Sequence, residues 1–213
     1  AMSAREMGVK ATIFMPVTTP DIKVRAVKAL GANIELRGDD YDTACDLAIA
    51  FSEESGGYFI HPFNNPEVIA GQGTLGIELT QQLETPPGVI FLPIGGGGLA
   101  AGVAATVKAV YPDVRIVGVE PEDAASMHAA FEAGQPVDIG TTGIFSDGVA
   151  VRKVGSLTYK LCRELVDEVI TVSVDQVCAA VKSIFEEVRA TVEPAGALAV
   201  AGAIRYAALE SDN

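Results

Sequence analysis

The chain has no tryptophan, only two histidines and three cysteines in 213 residues. Basic side chains are scarce: 15 Lys and Arg stand against 28 Asp and Glu, a net charge of −13. Each shortage removes a class of function. Gripping the phosphate backbone of a nucleic acid takes clustered Lys and Arg, and an anionic membrane surface asks for the same, so the charge argues against both partners. Cys45, Cys162 and Cys178 are odd in number, widely spaced, and fall in no C-x-x-C or other metal-ligand pattern. Reduced thiols in a cytoplasmic protein are the expectation. No apolar run is long enough to span a membrane, and no signal peptide is visible. Aromatics make up 6% and hydrophobic residues 49%, so the core has to be aliphatic. Acidity of this size serves solubility. An anionic ligand must then be met locally, by main-chain N–H groups.

Glycine is what the chain has in plenty, with 22 residues, four of them consecutive: Gly95, Gly96, Gly97 and Gly98. They follow an apolar run over 89–94 and precede an amphipathic segment starting near Leu99. A strand that turns through bare glycines into a helix suits an anion. Without Cβ atoms the main chain can be approached closely, successive N–H groups can serve one oxyanion, and the positive end of the helix adds to the attraction. Each extra glycine also adds unfolded-state entropy, which weighs against a ligand-free turn. A phosphate-bearing small molecule is the reading that follows.

Strands and helices alternate along the chain. The pattern predicts strands over 11–15, 33–36, 58–60, 89–94, 115–120 and 169–172. Helices are predicted to 30 from a Thr19-Pro20-Asp21 start, over 41–55, from 66 to about 80, over 99–110, 123–132, 156–165 and 175–189, and from Glu193-Pro194 onward. Continuous apolar strands between helices imply an α/β fold of open parallel sheets with helices on both faces. The segment 134–149 is rich in Gly and Thr and reads as loop. The expected boundary lies near Gly56-Gly57, giving a smaller α/β part over 1–57 and a larger one over 58–213. Both termini read as cut helices, so a piece of a longer chain, truncated at both ends, is expected.

A rival reading exists. Gly95 to Ala100 satisfies G-x-G-x-x-A, and Glu120 ends the next strand, where the acid of a dinucleotide site would take ribose hydroxyls. Against it, 88 residues precede the strand that leads into the glycines, whereas such fingerprints usually open their domain. An unbroken glycine quartet also suits one compact phosphate better than a pyrophosphate. Other polar residues have plainer readings. His61 is a hydrogen-bonded residue at a strand end or a proton donor, and His128 is a surface residue. Ser146 and Asp147 are turn residues or substrate neighbours. Leu198, Val200, Ala201 and Ile204 form a core or subunit-interface stripe.

Residues 93–104, PIGGGGLAAGVA, resemble the phosphate loop of pyridoxal-phosphate enzymes of the tryptophan-synthase β fold. Residues 61–79, HPFNNPEVIAGQGTLGIEL, resemble the entry into the large domain of the threonine deaminases (threonine dehydratases, or ammonia-lyases). Residues 117–127, VGVEPEDAASM, 144–155, IFSDGVAVRKVG, and 190–202, ATVEPAGALAVAG, resemble the same family in order and spacing. The region from 146 onward is most similar to the biosynthetic members that serve isoleucine synthesis; serine deaminases and racemases of this fold are the alternative. The resemblance implies pyridoxal 5'-phosphate as cofactor and β-elimination of water from L-threonine, giving 2-oxobutanoate and ammonia. It implies an assembly of two or four copies.

By that resemblance Gly95, Gly96, Gly97, Gly98 and Leu99 hold the cofactor phosphate through backbone N–H groups. Gly148 lies against the pyridine ring, and Glu193 lies near the ring hydroxyl; as a first-turn acid beside Pro194, Glu193 has an equally good structural reading. The related racemases carry a cation site. Glu120 and the carbonyl of Ala124 match two of its positions, but Ser126 replaces the third, an acid. A hard divalent ion prefers several charged oxygens, so a weakly held monovalent ion or no metal is expected there, not a divalent one. The family's catalytic lysine lies in a Ser-x-Lys motif. None of Lys10, Lys23, Lys28, Lys108, Lys153, Lys160 and Lys182 has that context, so this chain by itself is expected to be inactive. The partner of the pyridine nitrogen is also missing from it.

Overall fold

A computed structural model describes residues 1–211, with side chains through Leu209. The chain divides into two compact units, Ala1–Ile60 and His61–Asn213.

In the first unit, α1 (Met2–Glu6) precedes β1 (Thr12–Met15), α2 (Asp21–Ala29), β2 (Asn33–Leu36) and α3 (Tyr41–Ser55). The two strands pair in parallel, with Thr12 opposite Asn33 and Met15 opposite Leu36. Helix α3 starts where Asp40 accepts a hydrogen bond from the Thr43 amide at 2.8 Å, one of the first-turn donors that lack a partner within the helix. It packs Phe51 onto Phe14 of β1, with ring centroids 5.3 Å apart. Residues 58–60, expected as a strand, are irregular. Apolar composition was the only signal there. Tyr58 and Ile60 are 75% and 64% exposed, and among the described residues no strand pairs with them.

The second unit carries the glycine turn. Its elements are α4 (Pro66–Gln82), β3 (Val89–Pro93), α5 (Gly98–Val110), β4 (Arg115–Pro121), α6 (Ser126–Ala133), α7 (Ser156–Leu165), β5 (Glu168–Val172), α8 (Val174–Val188) and α9 (Pro194–Ser211), with short 3-10 turns at Glu122–Ala124 and Asp147–Val149. The strands form a parallel sheet in the order β3-β4-β5, with Val89 opposite Arg115 and Val117 opposite Glu168. Two separate hydrophobic clusters bury it. One gathers Ile69, Val103, Val107, Ile116 and Met127; the other gathers Val119, Val172, Val177, Leu198 and Ala201. The sheet is therefore covered on both faces, as continuous apolar strands require. Of the expected stripe on α9, Leu198 and Ala201 are buried and Ile204 is exposed.

Two helix starts in this unit carry side-chain caps. Asn65 precedes Pro66 and its side chain accepts from the amides of Glu67 at 2.8 Å and Val68 at 3.1 Å. Ser173 and Gln176 form a reciprocal capping box on α8. The expected helix over 123–132 starts later instead, at Ser126. Its first-turn amides are claimed by the buried carboxylate of Glu120: Met127 N–H donates to Oε1 and His128 N–H to Oε2, both at 2.8 Å.

Candidate functional site

The glycine turn lies at the carboxyl end of β3, with its first residue following the Ile94 amide bonded to the Val119 carbonyl at 2.9 Å. Gly97 caps α5 with φ +90°, a conformation that L side chains rarely adopt. Gly96, Gly97 and Gly98 are buried, while Gly95 and Leu99 are partly so. Among the described residues, none of the N–H groups from Gly95 to Leu99 donates to a main-chain carbonyl or a side chain of the protein. Native structures rarely leave buried backbone donors without an acceptor. Five consecutive amides at a helix N-terminus, free of internal partners, suit an external anion.

Neighbouring groups occupy the space that side chains would have taken. A Cβ on Gly96 would run into the ring of Phe63. One on Gly97 would lie 2.8 Å from the Met127 methyl and 3.0 Å from Thr158 Cβ; one on Gly98 would lie 3.0 Å from Phe63 Cβ; and one on Gly95 would lie 2.9 Å from Val149 Cα. Residues on α6, α7, the 61–65 loop and the 147–149 turn thus converge on one turn. Gly148 opens toward Glu193: a Cβ there would be 3.3 Å from the Glu193 carboxylate and 3.0 Å from Ala195 Cβ. The structure brings Gly95, Gly148 and Glu193 into one neighbourhood through Val149. Glu193 also starts α9, its carbonyl accepting from Gly196 and Ala197.

Glu120 has a different setting. It is wholly buried, and both of its oxygens accept amides of α6. Burial pushes its carboxyl up to about 8 even though the two amides favour the charged form. Wholly buried, with both oxygens turned to α6, Glu120 is not presented to ribose hydroxyls, which argues against the dinucleotide reading of G-x-G-x-x-A. Ala124 closes the 3-10 turn beside it, and the Ser126 hydroxyl is buried without a partner among the described residues. Among the described residues, no three His, Cys, Asp or Glu side chains are grouped so that they could hold a metal ion.

His61 Nδ1 accepts from the amides of Phe63 at 3.3 Å and Asn64 at 3.0 Å, and burial lowers its proton affinity. It is a loop-shaping imidazole. Ser146 is buried and its carbonyl accepts from Val149, while that of Asp147 accepts from Ala150; both shape the turn that backs Gly95. His128 is half-buried on α6. All three cysteines lie in helices and are free thiols. Lys108 pairs with Asp167 at 2.8 Å.

Sequence reasoning missed the groups behind the turn. Thr158 Oγ1 donates to the Gly96 carbonyl at 2.7 Å and Cys162 Sγ to the Gly97 carbonyl at 3.8 Å. Both sit on α7, some sixty residues further along. The one available signal was their i, i+4 spacing on that helix's apolar face.

Fold and turn together define a class: an α/β protein with a glycine turn between a parallel strand and its helix. The particular family follows from comparison. The chain belongs to the pyridoxal-phosphate dependent enzyme family, whose profile matches residues 1–213. It is 50% identical over 213 residues to the biosynthetic L-threonine dehydratase of Burkholderia multivorans, covering 99% of this chain and 42% of that protein. It is 48% identical over 211 residues to the Escherichia coli protein of the same description, covering 99% and 41%. It superposes on the processed form of tomato threonine deaminase isoform 2 with a TM-score of 0.93 at 42% identity, covering 99% of this chain and 61% of that one. The chain thus spans about two fifths of the length of the curated relatives it matches.

The residues present fit a phosphate-bearing cofactor. The amides without internal acceptors supply donors, the glycines leave room for approach, and the helix end supplies positive charge.

Proposed function

We propose that this chain forms the phosphate-binding half of the active site of a threonine ammonia-lyase, which eliminates water from L-threonine to give 2-oxobutanoate and ammonia, the first step of isoleucine biosynthesis. The observation that carries the reading is the run of amides from Gly95 to Leu99 without internal acceptors. Its support is the identity of 45% or more to relatives named threonine dehydratase.

In this reading the amides of Gly95, Gly96, Gly97, Gly98 and Leu99 would hold the phosphate of pyridoxal 5'-phosphate. Gly148 would leave the pyridine ring room to lie flat, and Glu193 would face the ring's hydroxyl side. The bound cofactor supplies an electron sink for the charge left when the α-proton of the amino acid is removed. The chain's own part is binding and orientation: the turn fixes one end of the ligand, so that its reacting end meets the substrate in one pose. The proton-removing lysine is no part of this chain, because none of its seven lysines has the Ser-x-Lys context. Residues 1–57 would belong to the small domain and 58–213 to the large cofactor-binding domain. The enzyme would be a cytoplasmic homo-oligomer, a dimer or tetramer, without a divalent metal at Glu120 and Ala124.

The test is to purify the full protein and follow 2-oxobutanoate from L-threonine and pyruvate from L-serine. Turnover of threonine with the yellow absorbance of bound cofactor is expected. A serine preference would move the protein to the serine deaminases of this fold. A colourless protein that turns over neither would end the reading. The 213-residue chain alone is expected to release no keto acid.

A further inference from the structure

We propose that Thr158, on α7, is a positioning residue that aims the amides of the glycine turn at the ligand, with Cys162 one helical turn further along assisting it. The inference rests on the phosphate reading of the turn and adds the device that orients it.

Four glycines in sequence have no side chains with which to fix their peptide planes, so something outside the turn has to choose the orientation. The Thr158 hydroxyl is fully buried and has one proton to give. Two carbonyls are in reach: Gly96 at 2.7 Å and Gly155, three residues back on its own helix, at 3.1 Å. The Gly155 carbonyl already accepts the Tyr159 amide at 2.9 Å, so the shorter bond to Gly96 takes the proton. The described chain contains no cis peptide bonds, and in a trans peptide the C=O of one residue and the N–H of the next point in opposite directions. Fixing the Gly96 carbonyl toward α7 therefore sends the Gly97 N–H away from α7. The next peptide repeats the arrangement. The Gly97 carbonyl accepts the Ala101 amide at 2.9 Å and the Cys162 thiol at 3.8 Å, which turns the Gly98 N–H away from Cys162. Burial, and next the Glu120 carboxylate, push that thiol up to about 12, so it stays an S–H donor.

Contacts on the same side crowd the turn against α6 and α7. The Cβ position of Gly97 faces Thr158 Cβ at 3.0 Å, Oγ1 at 3.1 Å and the Met127 methyl at 2.8 Å. A flip of the peptide between Gly96 and Gly97 would carry the Gly96 carbonyl out of reach of the Thr158 hydroxyl and break the 2.7 Å bond.

The test compares two ligands on the full apoprotein: pyridoxal phosphate and pyridoxal, which differ only in the phosphate. Dissociation constants are measured by absorbance titration for the unaltered protein, Thr158→Val, Thr158→Ser, Thr158→Ala and Cys162→Ala. Thr158→Val keeps the shape and removes the donor. It is expected to weaken pyridoxal phosphate about five- to tenfold, the worth of one buried hydrogen bond, and to leave pyridoxal unchanged. Thr158→Ser should restore the unaltered ratio, and Cys162→Ala should change it by less than Thr158→Val. If the Val variant does not fold, the Ala variant is read on the same ratio. Equal weakening of both ligands, no weakening of either, or failure of Ser to rescue would overturn the assignment. If the unaltered protein itself holds both ligands equally, the turn is no phosphate cradle, and the reading under Proposed function falls first.

Discussion

Two glycines inside helices of the second unit should respond to the same substitution with opposite signs. Gly71 and Gly102 both lie within α-helices, where replacing Gly by Ala ordinarily stabilises by about 1 kcal/mol through lower backbone entropy in the unfolded chain. A Cβ on Gly71 meets nothing within 4 Å, so Gly71→Ala should stabilise by about 0.5–1 kcal/mol. A Cβ on Gly102 would press into the Ile69 carbonyl oxygen and lie 2.7 Å from the Gly73 amide nitrogen, where about 3.5 Å is the comfortable separation. Both obstacles are backbone of α4. No side chain can rotate to make room, so α4 and α5 would have to part by roughly an ångström at their closest approach. Overpacking of this kind costs about 1–3 kcal/mol. Set against the propensity gain, Gly102→Ala should destabilise by up to about 2 kcal/mol. With a urea slope of about 2–3 kcal/mol/M for a chain of this size, its midpoint should fall by up to ~1 M, while that of Gly71→Ala rises by ~0.2–0.5 M. The assay is urea unfolding by circular dichroism, read on the transition of the 61–213 unit. A Gly102→Ala midpoint at or above the parent's would refute the contact argument.

Glu120 binds its proton more tightly folded than unfolded. Its contribution to stability is therefore complete below about 4.5 and is lost as pH rises through about 8. Glu120→Gln, which cannot ionise, should show a flatter decline in urea midpoint between pH 5 and 8.5 than the parent; parallel declines would contradict this. Asn65→Ala removes the acceptor for two first-turn amides of α4 and should cost about 1 kcal/mol, measured by the same unfolding. In the full protein, Gly97→Asp forces a side chain onto a φ of +90° and sets a negative charge beside the proposed phosphate position. Loss of the cofactor's absorbance on dialysis is expected, and full retention would remove the assignment of the turn.

Most of the fold was legible because its strands and helices differ in period and its helix starts carry chemical marks. Helices 41–55 and 156–165 and strand 33–36 fall where the pattern put them, and the first has a cap to start it: Asp40 before α3 accepts from the Thr43 amide. Residues 58–60 failed because apolar composition alone cannot supply a neighbouring strand. The start of α6 failed for the opposite reason: a long-range acceptor, Glu120, decides which amides open the helix. The glycine turn announced itself by composition, and the phosphate reading of it rests on that. What held it in place was invisible, since Thr158 and Cys162 look like ordinary buried residues of an amphipathic helix until α7 is laid beside the turn.

The packing around the glycines has a consequence for how a ligand would be received. Four residues that are the loosest in an unfolded chain are walled in by Phe63, Val149, Met127 and Thr158, and their conformational freedom is surrendered during folding rather than on encounter. A receptor preorganised in this way spends little of its binding free energy on ordering itself. Occupancy should then leave amide exchange at Gly95 to Gly98 slowed only by direct cover, with no wider stiffening of α5.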